Sequence, residues 1–494
     1  MSSFAKRCGI HDDARKAAVA HTVALIEASG IEQVRFAWCD LHGMLRGKTL
    51  VARAAAAAMA DGVGIVSTLL LKDTSDRTAF PVFEAGGAPD LPGFEFAGNV
   101  MLLPDPASFK LLPWSPGTGW LQCQPWLADG QPVMLDTRRV LQTALARLAA
   151  AGYGLKCGLE IEFHIYKITG AERSPRLDPM QSAWPGPPPE VTMIHPGYHL
   201  LSEQWADLAD EPLRIVQRTA EALGLPLLSL EIEFGPSQVE AVFDATDAMV
   251  AADNMVLFRS AVKQALRRAG YHATFMCRPP FPHIMSSGWH LHQSLVDIAT
   301  GRSAFMRDSP AAGTTPRDAQ HTLSVAGEHY LAGLLAHACG MTALCTPTIN
   351  GYGRFQPNAM APQSVLWGLG NRGAMLRVVG QSGDAGTRIE NRVGEPAANP
   401  YLYIASQILA GMDGMARDLK APPATDAPYA GTAEKLPGSL VEALVALQGD
   451  SVLVEGLGAA FVDCFTRVKQ FELARHDGAE DSADWQRREY FSRI

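Results

Sequence analysis

The sequence has little of what marks secreted, membrane-spanning or disulfide-rich proteins. Its 494 residues include 8 cysteines but no CxxC pair, so neither a disulfide framework nor a structural zinc site is indicated. The longest apolar runs, such as Ile65 to Leu71, are far shorter than the roughly 20 residues that span a bilayer. Charges at Lys6 and Arg7 stand where a signal peptide would need its apolar core. We therefore expect a cytoplasmic protein with reduced, mostly buried thiols and no membrane partner.

A basic excess is also missing. The chain has 42 Lys+Arg against 51 Asp+Glu, a formal net charge of −9. A nucleic-acid-binding surface normally needs clustered basic residues, so nucleic acid is not an expected partner. Small anionic ligands held by local arginines stay possible. No low-complexity tail and no internal repeat is visible.

The chain divides into three predicted regions. Residues 1–30 form an N-terminal helix, with apolar residues at helical spacing and a stop at Gly30. Residues 31–131 form a small sheet-bearing domain that starts with a strand, a turn at Asp40 to Gly43 and a return strand. A stretch dense in proline, glycine and aromatics precedes a helix that Asp136 or Thr137 can cap. We place the boundary there and assign residues 132–494 to a larger domain.

The larger region alternates helical patterns with short strand-like runs, which predicts an α+β fold. The helical patterns cover Leu213 to Leu223, Ala245 to Arg268, Leu323 to Thr342 and Tyr401 to Leu419.

Four of the strand-like runs place charged or imidazole side chains two residues apart, and such side chains project from one face of a strand. The pairs are Glu160 with Glu162, Glu231 with Glu233, His290 with His292, and Arg388 with Glu390 and Arg392. A turn at Gly235-Pro236 lets Glu240 return beside the second pair. Each run alone is more typical of a solvated sheet face or of cross-strand ion pairs. Together they supply carboxylates and imidazoles that suit Mg²⁺ or Mn²⁺, and arginines that suit phosphate oxygens. The combination predicts metal-assisted phosphoryl transfer.

These segments resemble, in order, motifs of the glutamine synthetase family, and the resemblance covers nearly the whole chain. They are Gly158-Leu-Glu-Ile-Glu-Phe163, Glu233 with Gln238-Val-Glu240, Ser287-Gly-Trp-His-Leu-His-Gln-Ser294, Asn350-Gly-Tyr-Gly-Arg354 with Ala361-Pro362, Asn371-Arg-Gly-Ala-Met-Leu-Arg377, and Arg388-Ile-Glu-Asn-Arg392 with Ala397-Ala-Asn-Pro-Tyr401. The resemblance implies a small N-terminal β-grasp-like domain followed by a large glutamine-synthetase-type catalytic domain. It also implies a homo-oligomer of two stacked rings, with active sites between neighbouring subunits.

The resemblance implies two divalent metal sites, for Mg²⁺ or Mn²⁺, with ATP as co-substrate. Glu162, Glu233 and Glu240 resemble the ligands of one metal. Glu160, His290 and Glu390 resemble those of the metal that bridges the nucleotide phosphates.

The same resemblance implies roles for the residues around the metals. The nucleotide-binding positions are His292, Ser294, Arg377 and Arg388. Arg372 and Arg377 resemble the arginines that hold the transferring phosphoryl group, while Arg354, Arg392 and Gly288 match positions that contact the glutamate substrate. Asp40 resembles the aspartate that a neighbouring subunit contributes to the amine site. The implied chemistry is two-step: ATP phosphorylates the γ-carboxylate of glutamate, and an amine then attacks the acyl phosphate.

Two positions depart from the family pattern. In the flap, residues 357–362, Met360 stands where ordinary glutamine synthetases carry a glutamate that helps accept the proton of ammonium, and Met285 stands where an asparagine is common. A site without that carboxylate should handle ammonium poorly. Methionine makes an adaptable apolar wall for a ring. These residues predict a glutamate–amine ligase for a hydrophobic or aromatic, aniline-like amine, with Met360 in the substrate site.

Other interpretations stay open at this point. Met360 can be simple flap packing in an ordinary glutamine synthetase that uses ammonia. An alkylamine or polyamine ligase is a further alternative, although a polyamine would be expected to recruit extra carboxylates. A non-catalytic family member is the last, and the presence of all six metal-ligand positions speaks against it.

Overall fold

The computed structural model of the chain describes residues 3–28, 30–84, 86–88, 90–169, 180, 182–315, 318–357 and 359–494. Ser29, within the predicted N-terminal helix, and Asn358, in the flap, lie outside these residues. Among the described helices, none is both long enough and apolar enough to cross a membrane.

The N-terminal part is a helix-covered sheet. Its helices are α1 (Phe4–Arg7), α2 (Asp13–Ala28) and α3 (Ala52–Asp61), and its strands are β1 (Gln33–Cys39), β2 (Leu45–Val51), β3 (Val63–Val66), β4 (Asn99–Pro104), β5 (Lys110–Leu111) and β6 (Thr118–Leu127). The strand order is β2-β1-β6-β4-β3, with β5 on β6. The predicted strand, turn and return strand are the antiparallel β1–β2 hairpin, while β1 and β6 run parallel at the centre of the sheet. This is the small sheet domain that the sequence predicts.

The second sheet has nine strands and lies wholly in the larger region. They are β7 (Tyr153–Ile168), β8 (Val191–Met193), β9 (Leu227–Ile232), β10 (Gln238–Asp247), β11 (Tyr271–Thr274), β12 (Trp289–Asp297), β13 (Trp367–Leu369), β14 (Leu376–Val379) and β15 (Arg388–Asn391). Their order is β13-β14-β15-β12-β7-β10-β9, with β8 and β11 also paired to β7. The long strand β7 therefore lies at the centre of the sheet.

The larger region also contains the following helices, some of which pack against this sheet. They are α4 (Thr137–Ala150), α5 (Glu203–Leu208), α6 (Asp210–Ala222), α7 (Ala248–Arg268), α8 (Val325–Ala336), α9 (Ala338–Cys345), α10 (Pro400–Ala416), α11 (Leu440–Gly449), α12 (Ser451–Leu457), α13 (Ala459–Asp477) and α14 (Ser482–Gln486). Asp136 caps α4, as the sequence allows, by accepting a hydrogen bond from the backbone N–H of Arg138. The pattern from Leu323 to Thr342, predicted as one helix, is instead two helices that meet at His337, which is the C-cap of one and the N-cap of the other.

Alternation along the strands separates an apolar face from a charged face. On β7, Leu159, Ile161 and Phe163 are buried, and the ring of Phe163 contacts Phe258 on α7. The residues between them, Glu160 and Glu162, face the other way. The apolar face forms the core, which leaves the charged face to build a site.

Candidate active site

Strand register brings the predicted ligands together. Glu240 on β10 is paired with Glu162 on β7, and His290 on β12 is paired with Glu160. One step further along the sheet, His292 on β12 is paired with Glu390 on β15. Residues paired across neighbouring strands lie on the same face, so four strands contribute to one cluster.

The first group of carboxylates is Glu162, Glu233 and Glu240. Each offers an oxygen within 4.8 Å of the other two. Glu233 sits just beyond β9, where its backbone N–H donates to the carbonyl of Gln238 at 3.0 Å and closes the predicted turn. Burial, followed by the charge of Glu162, raises the pKa of Glu233 to about 8 and that of Glu240 to about 10. If all three carboxyls were ionised, the group would therefore carry more negative charge than the nearby positive groups neutralise.

The second group is built around Glu160. His290 Nδ1 lies 3.3 Å from its Oε2 and 3.8 Å from Glu390 Oε1, while His292 Nε2 lies 3.0 Å from Glu160 Oε1. Burial opposes ionisation of Glu160, but contacts with the two imidazoles hold its pKa well below the usual range. Ligand-forming atoms of Glu160, His292 and Glu390 lie within 4.8 Å of one another, as do those of Glu160, Glu240 and His290.

The donor atoms of both groups fit a hard divalent cation. Carboxylate oxygens with a single imidazole suit Mg²⁺ or Mn²⁺. Glu240 Oε1 is buried and has no hydrogen-bond partner, as expected for an atom reserved for a cation. When bound, such cations would neutralise charge on phosphate oxygens and orient them.

Arginines surround Glu390. Its oxygens contact Nη1 of Arg377, at 2.7 Å, and Nη1 of Arg392. Arg388 Nε donates to Nδ1 of His292 at 3.0 Å, which fixes that ring beside Glu160. Burial acts to raise the pKa of Glu390, but the nearby positive groups outweigh it and lower the pKa. Glu390 therefore stays ionised. Arg372 lies in the connection between β13 and β14, close enough for its charge to act on both Glu233 and Arg377.

A cavity of about 690 Å³ opens beside this centre. Its polar lining includes the predicted nucleotide residues His292, Ser294 and Arg388, next to Glu160. Leu228 and other apolar side chains, Val242, Phe243, Val296 and Met306, line the same space. An apolar slot that ends at arginines and carboxylates suits a nucleotide, whose base is flat and whose phosphates are charged.

The predicted glutamate side is equally close to the first carboxylate group. The backbone N–H of Gly288 donates to Glu162 Oε2 at 2.7 Å, and Arg354 Nη1 donates to the carbonyl of Arg392 at 2.8 Å. A side chain at Gly288 would place its Cβ 2.4 Å from Nη2 of Arg354, so glycine is required for this approach. A backbone N–H and two arginines therefore meet beside Glu162.

The two methionines lie in loops. Met285 contacts the turn after β9, because a Cβ built on Gly235 would lie 2.8 Å from the Cβ of Met285. Met360 in the flap is 54% exposed and adopts a left-handed backbone conformation, with φ of 51°. Its carbonyl accepts a hydrogen bond from Nη2 of Arg392 at 3.2 Å. The flap is thus attached directly to a predicted substrate-binding arginine.

Comparison with known proteins decides the family. A model described as the glutamine synthetase catalytic domain matches residues 134–490. The chain belongs to the glutamine synthetase family.

Relatives within the family extend the match. The chain is 37% identical to the γ-glutamylanilide synthase of an Acinetobacter species, over 99% of this chain and 98% of that protein. It is 34% identical to the glutamine synthetase of Thermus thermophilus, over 76% of this chain and 81% of that one. A solved structure of GmaS without ligand superposes with a TM-score of 0.75 at 29% identity, over 94% of this chain and 98% of the other.

Several expectations are confirmed by this membership. The fold is α+β, with a small N-terminal sheet domain and a glutamine-synthetase-type catalytic domain. The protein is an ATP-dependent ligase of a family that works with glutamate and divalent metal ions. The assignment of individual site residues and the domain limits at residues 30 and 131 stay predictions.

Asp40 is the one predicted catalytic residue that the structure places away from the ligase centre of its own chain. It is 3% exposed in the β1–β2 turn, where its Oδ1 accepts from the backbone N–H groups of His42 and Met44, both at 3.0 Å. Its Oδ2 contacts Arg46 Nε at 2.8 Å. Burial acts to raise the pKa of Asp40, but Arg46, His42 and Met44 together outweigh burial and lower it. In this chain Asp40 shapes the turn, and its contribution to a neighbouring subunit's site stays a prediction.

Sequence reasoning missed the role of Gln238. Its side-chain amide donates to Glu162 Oε2 at 3.1 Å and to Ser287 Oγ at 3.0 Å, while its oxygen accepts from the backbone N–H of Gly235 at 2.9 Å. It therefore ties a predicted metal ligand to the turn after β9 and to the segment before Gly288. The available signal was its position two residues before Glu240 on the same strand face.

Proposed function

We propose that this member of the glutamine synthetase family joins a hydrophobic or aromatic, aniline-like amine to the γ-carboxylate of L-glutamate. The observation that carries the proposal is the amine side, where Met285 and Met360 supply thioethers and no carboxylate. The similarity to a γ-glutamylanilide synthase over nearly the whole chain supports it.

The first step is phosphorylation of glutamate by ATP. Arg354, Arg392 and the N–H of Gly288 hold the glutamate, while the cavity beside Glu160 holds the nucleotide. The γ-carboxylate oxygen attacks the terminal phosphorus of ATP, the bond to ADP breaks, and a γ-glutamyl phosphate forms. Arg372 and Arg377 stabilise the negative charge on the transferring oxygens.

The second step is attack by the amine on the γ-carbon, with loss of inorganic phosphate and one proton. An arylamine is neutral at physiological pH, so its nitrogen needs no prior deprotonation, and its ring gains from an apolar wall. Ammonium, in contrast, is a cation that must lose a proton before it can attack. The methionines therefore favour the arylamine.

The cofactor and the assembly belong to the same proposal. Glu162, Glu233 and Glu240 would hold one Mg²⁺ or Mn²⁺, and Glu160, His290 and Glu390 the other. The chain would form two stacked rings with sites between neighbouring subunits, in which Asp40 of one subunit accepts the released proton of the amine bound to the next.

Ordinary glutamine synthesis is the second candidate. It is favoured by the 34% identity to a glutamine synthetase and by Glu233, a carboxylate beside the turn that Met285 contacts. The arylamine proposal differs from glutamine synthesis only in the nucleophile, an arylamine in place of ammonia, that the site accepts beside Met285 and Met360.

The test is phosphate release from Mg·ATP and L-glutamate, run in parallel with ammonium, a short alkylamine, a diamine and aniline. We expect release chiefly with aniline. Release chiefly with ammonium would return the enzyme to glutamine synthesis, and release with none would contradict both candidates.

A further inference from the structure

A connecting segment that follows α10 contacts the loops that carry predicted reacting groups. Residues 421–436, here called the strap, follow α10 and contain no helix or extended strand. Asn371 Nδ2 donates to the carbonyl of Asp426 at 3.2 Å, and Trp367 Nε1 donates to the carbonyl of Pro422 at 2.7 Å. Beyond the flap, the backbone N–H of Val365 donates to the backbone carbonyl of Glu434 at 2.8 Å. The strap thus touches both the Arg372 loop and the segment after the flap.

Tyr429, in the middle of the strap, contacts both of these loops with one side chain. Its hydroxyl donates to the carbonyl of Ala361 in the flap at 3.1 Å. Its ring lies against Gly373, where an added Cβ would approach Cε2 of the ring to 3.0 Å. Gly373 directly follows Arg372, so the ring and the hydroxyl link the phosphoryl-binding loop to the flap.

Two consecutive flap carbonyls are therefore held by two different donors. Met360 is held by Arg392 Nη2 at 3.2 Å, and Ala361 by the Tyr429 hydroxyl. Arg392 also contacts Glu390 and is assigned to the glutamate substrate, so its contact with the flap depends on what else occupies it. Tyr429 is not among the residues assigned to a substrate or to a metal. A non-glycine residue in a left-handed conformation, such as Met360, persists only where its surroundings hold it.

We propose that Tyr429 is a positioning residue that keeps the flap closed over the γ-glutamyl phosphate, so that the amine and not water attacks it. The inference rests on the proposed function. It adds a residue outside the family motifs to the machinery that couples ATP consumption to amide formation.

The competing reaction defines what the flap must prevent. A water oxygen bonds to the γ-carbon, the bond from that carbon to the phosphate oxygen breaks, inorganic phosphate leaves, and a proton passes to solvent. The net result is hydrolysis of ATP with glutamate returned unchanged. Closure of a site against water is a general way to suppress this loss of reactive intermediates.

The experiment measures phosphate and amide together, with the full chain, Mg·ATP, L-glutamate and aniline. Wild type is expected to form nearly one amide per phosphate released. Tyr429→Phe keeps the ring and removes the hydroxyl, and we expect the phosphate lost to hydrolysis per amide formed to rise about 2- to 10-fold, the range that the loss of one ordinary hydrogen bond produces. Phosphate release with glutamate but no amine should rise by a similar factor.

The ratio separates positioning from a general structural role. A variant that is merely less well folded loses both products in proportion and keeps one amide per phosphate. Tyr271→Phe is the matched control, because it also removes one hydroxyl contact, to Glu211 at 2.8 Å, but lies on β11 beside Lys167. We expect it to keep the wild-type ratio.

Each outcome decides something. A Tyr429→Phe enzyme with wild-type rates and one amide per phosphate would overturn the inference while leaving the proposed function intact. A second variant, Tyr429→Leu, should uncouple at least as strongly and should also slow phosphate release, since the contact with Gly373 is reduced. A wild type that releases no glutamate-dependent phosphate with any amine would overturn the proposed function, and this inference with it.

Discussion

The predicted metal-binding face of the sheet and the proposed amine side of the site are built in different ways. On the sheet face, Glu160, Glu162 and Glu240 are placed by strand register and lie partly or fully buried among charged partners. On the amine side, Met360 lies on a loop, half exposed, and is held by single hydrogen bonds to its backbone. A ladder of paired strands tolerates little movement, whereas a loop contact can be exchanged. The difference indicates that the strands fix the ligands of the predicted metal sites, whereas under the proposed function the choice of amine would depend on the loops.

The largest expected loss of activity comes from removing the charge of a carboxylate on the strands. Glu390→Gln removes the charge that Arg377 and Arg392 share and should lower ATP-dependent phosphate release by about 10³-fold. Glu160→Gln should do the same. Glu203→Gln is the control: this carboxylate lies exposed in the first turn of α5 and should keep most activity when neutralised. Undiminished activity in both Gln variants at the site would mean that the metal assignment is wrong.

For Met360 on its loop, we expect a substitution to change the preference between amines and not the transfer of phosphate from ATP. Met360→Glu adds a carboxylate that can attract ammonium and accept its proton, so kcat/KM for ammonium should rise about tenfold relative to that for aniline. Met360→Gln has a similar size without the charge and should not shift the ratio toward ammonium. Steady-state rates with each amine provide the measurement, and equal shifts in both variants would assign the effect to shape alone.

The acidic face should also release protons when a cation binds. Burial and the charge of Glu162 raise the pKa of both Glu233 and Glu240, so this group retains protons to a higher pH than free carboxyls do. A bound cation displaces those protons, and the Mg²⁺ affinity should therefore increase as pH rises from about 6 to 9, by about tenfold per unit for each proton released. Titration calorimetry in two buffers of different ionisation enthalpy measures the proton count. An affinity independent of pH would contradict this picture.

The smallest expected effect lies in the helices, where no ligand is involved. Burial acts to lower the pKa of His337, but contacts with Asp450 and Asp413 outweigh burial and raise it. A raised pKa in the folded state contributes stability that is fully present below the ordinary value of about 6.5 and is lost as pH rises through the folded-state value. His337→Gln should therefore cost about 1–2 kcal/mol near pH 6 and less near pH 9.

Thermal unfolding of both proteins at the two pH values checks this. Replacement of the exposed His11 by Gln is the control and should leave the melting temperature unchanged. A pH-independent loss for His337→Gln would mean that the histidine is not charged in the folded protein.

The same contrast explains how much the sequence could predict. Charged residues two apart on strand-like runs are local signals, and they predicted that Glu160 and Glu162 share a face and that Glu240 returns beside Glu233. The contacts of Gln238 and Tyr429 could not be predicted, because they join residues 76 and 68 positions apart through loops that have no periodicity. The same limit applies to His337, where an uninterrupted apolar pattern conceals the end of one helix and the start of the next.

One measurement tests the central claim most directly. Purified enzyme is given Mg·ATP, L-glutamate and equal concentrations of aniline and ammonium, and the γ-glutamyl products are counted by mass spectrometry. The account predicts that γ-glutamylanilide predominates over glutamine. Glutamine as the main product would contradict it and would show that the methionine wall does not select the amine.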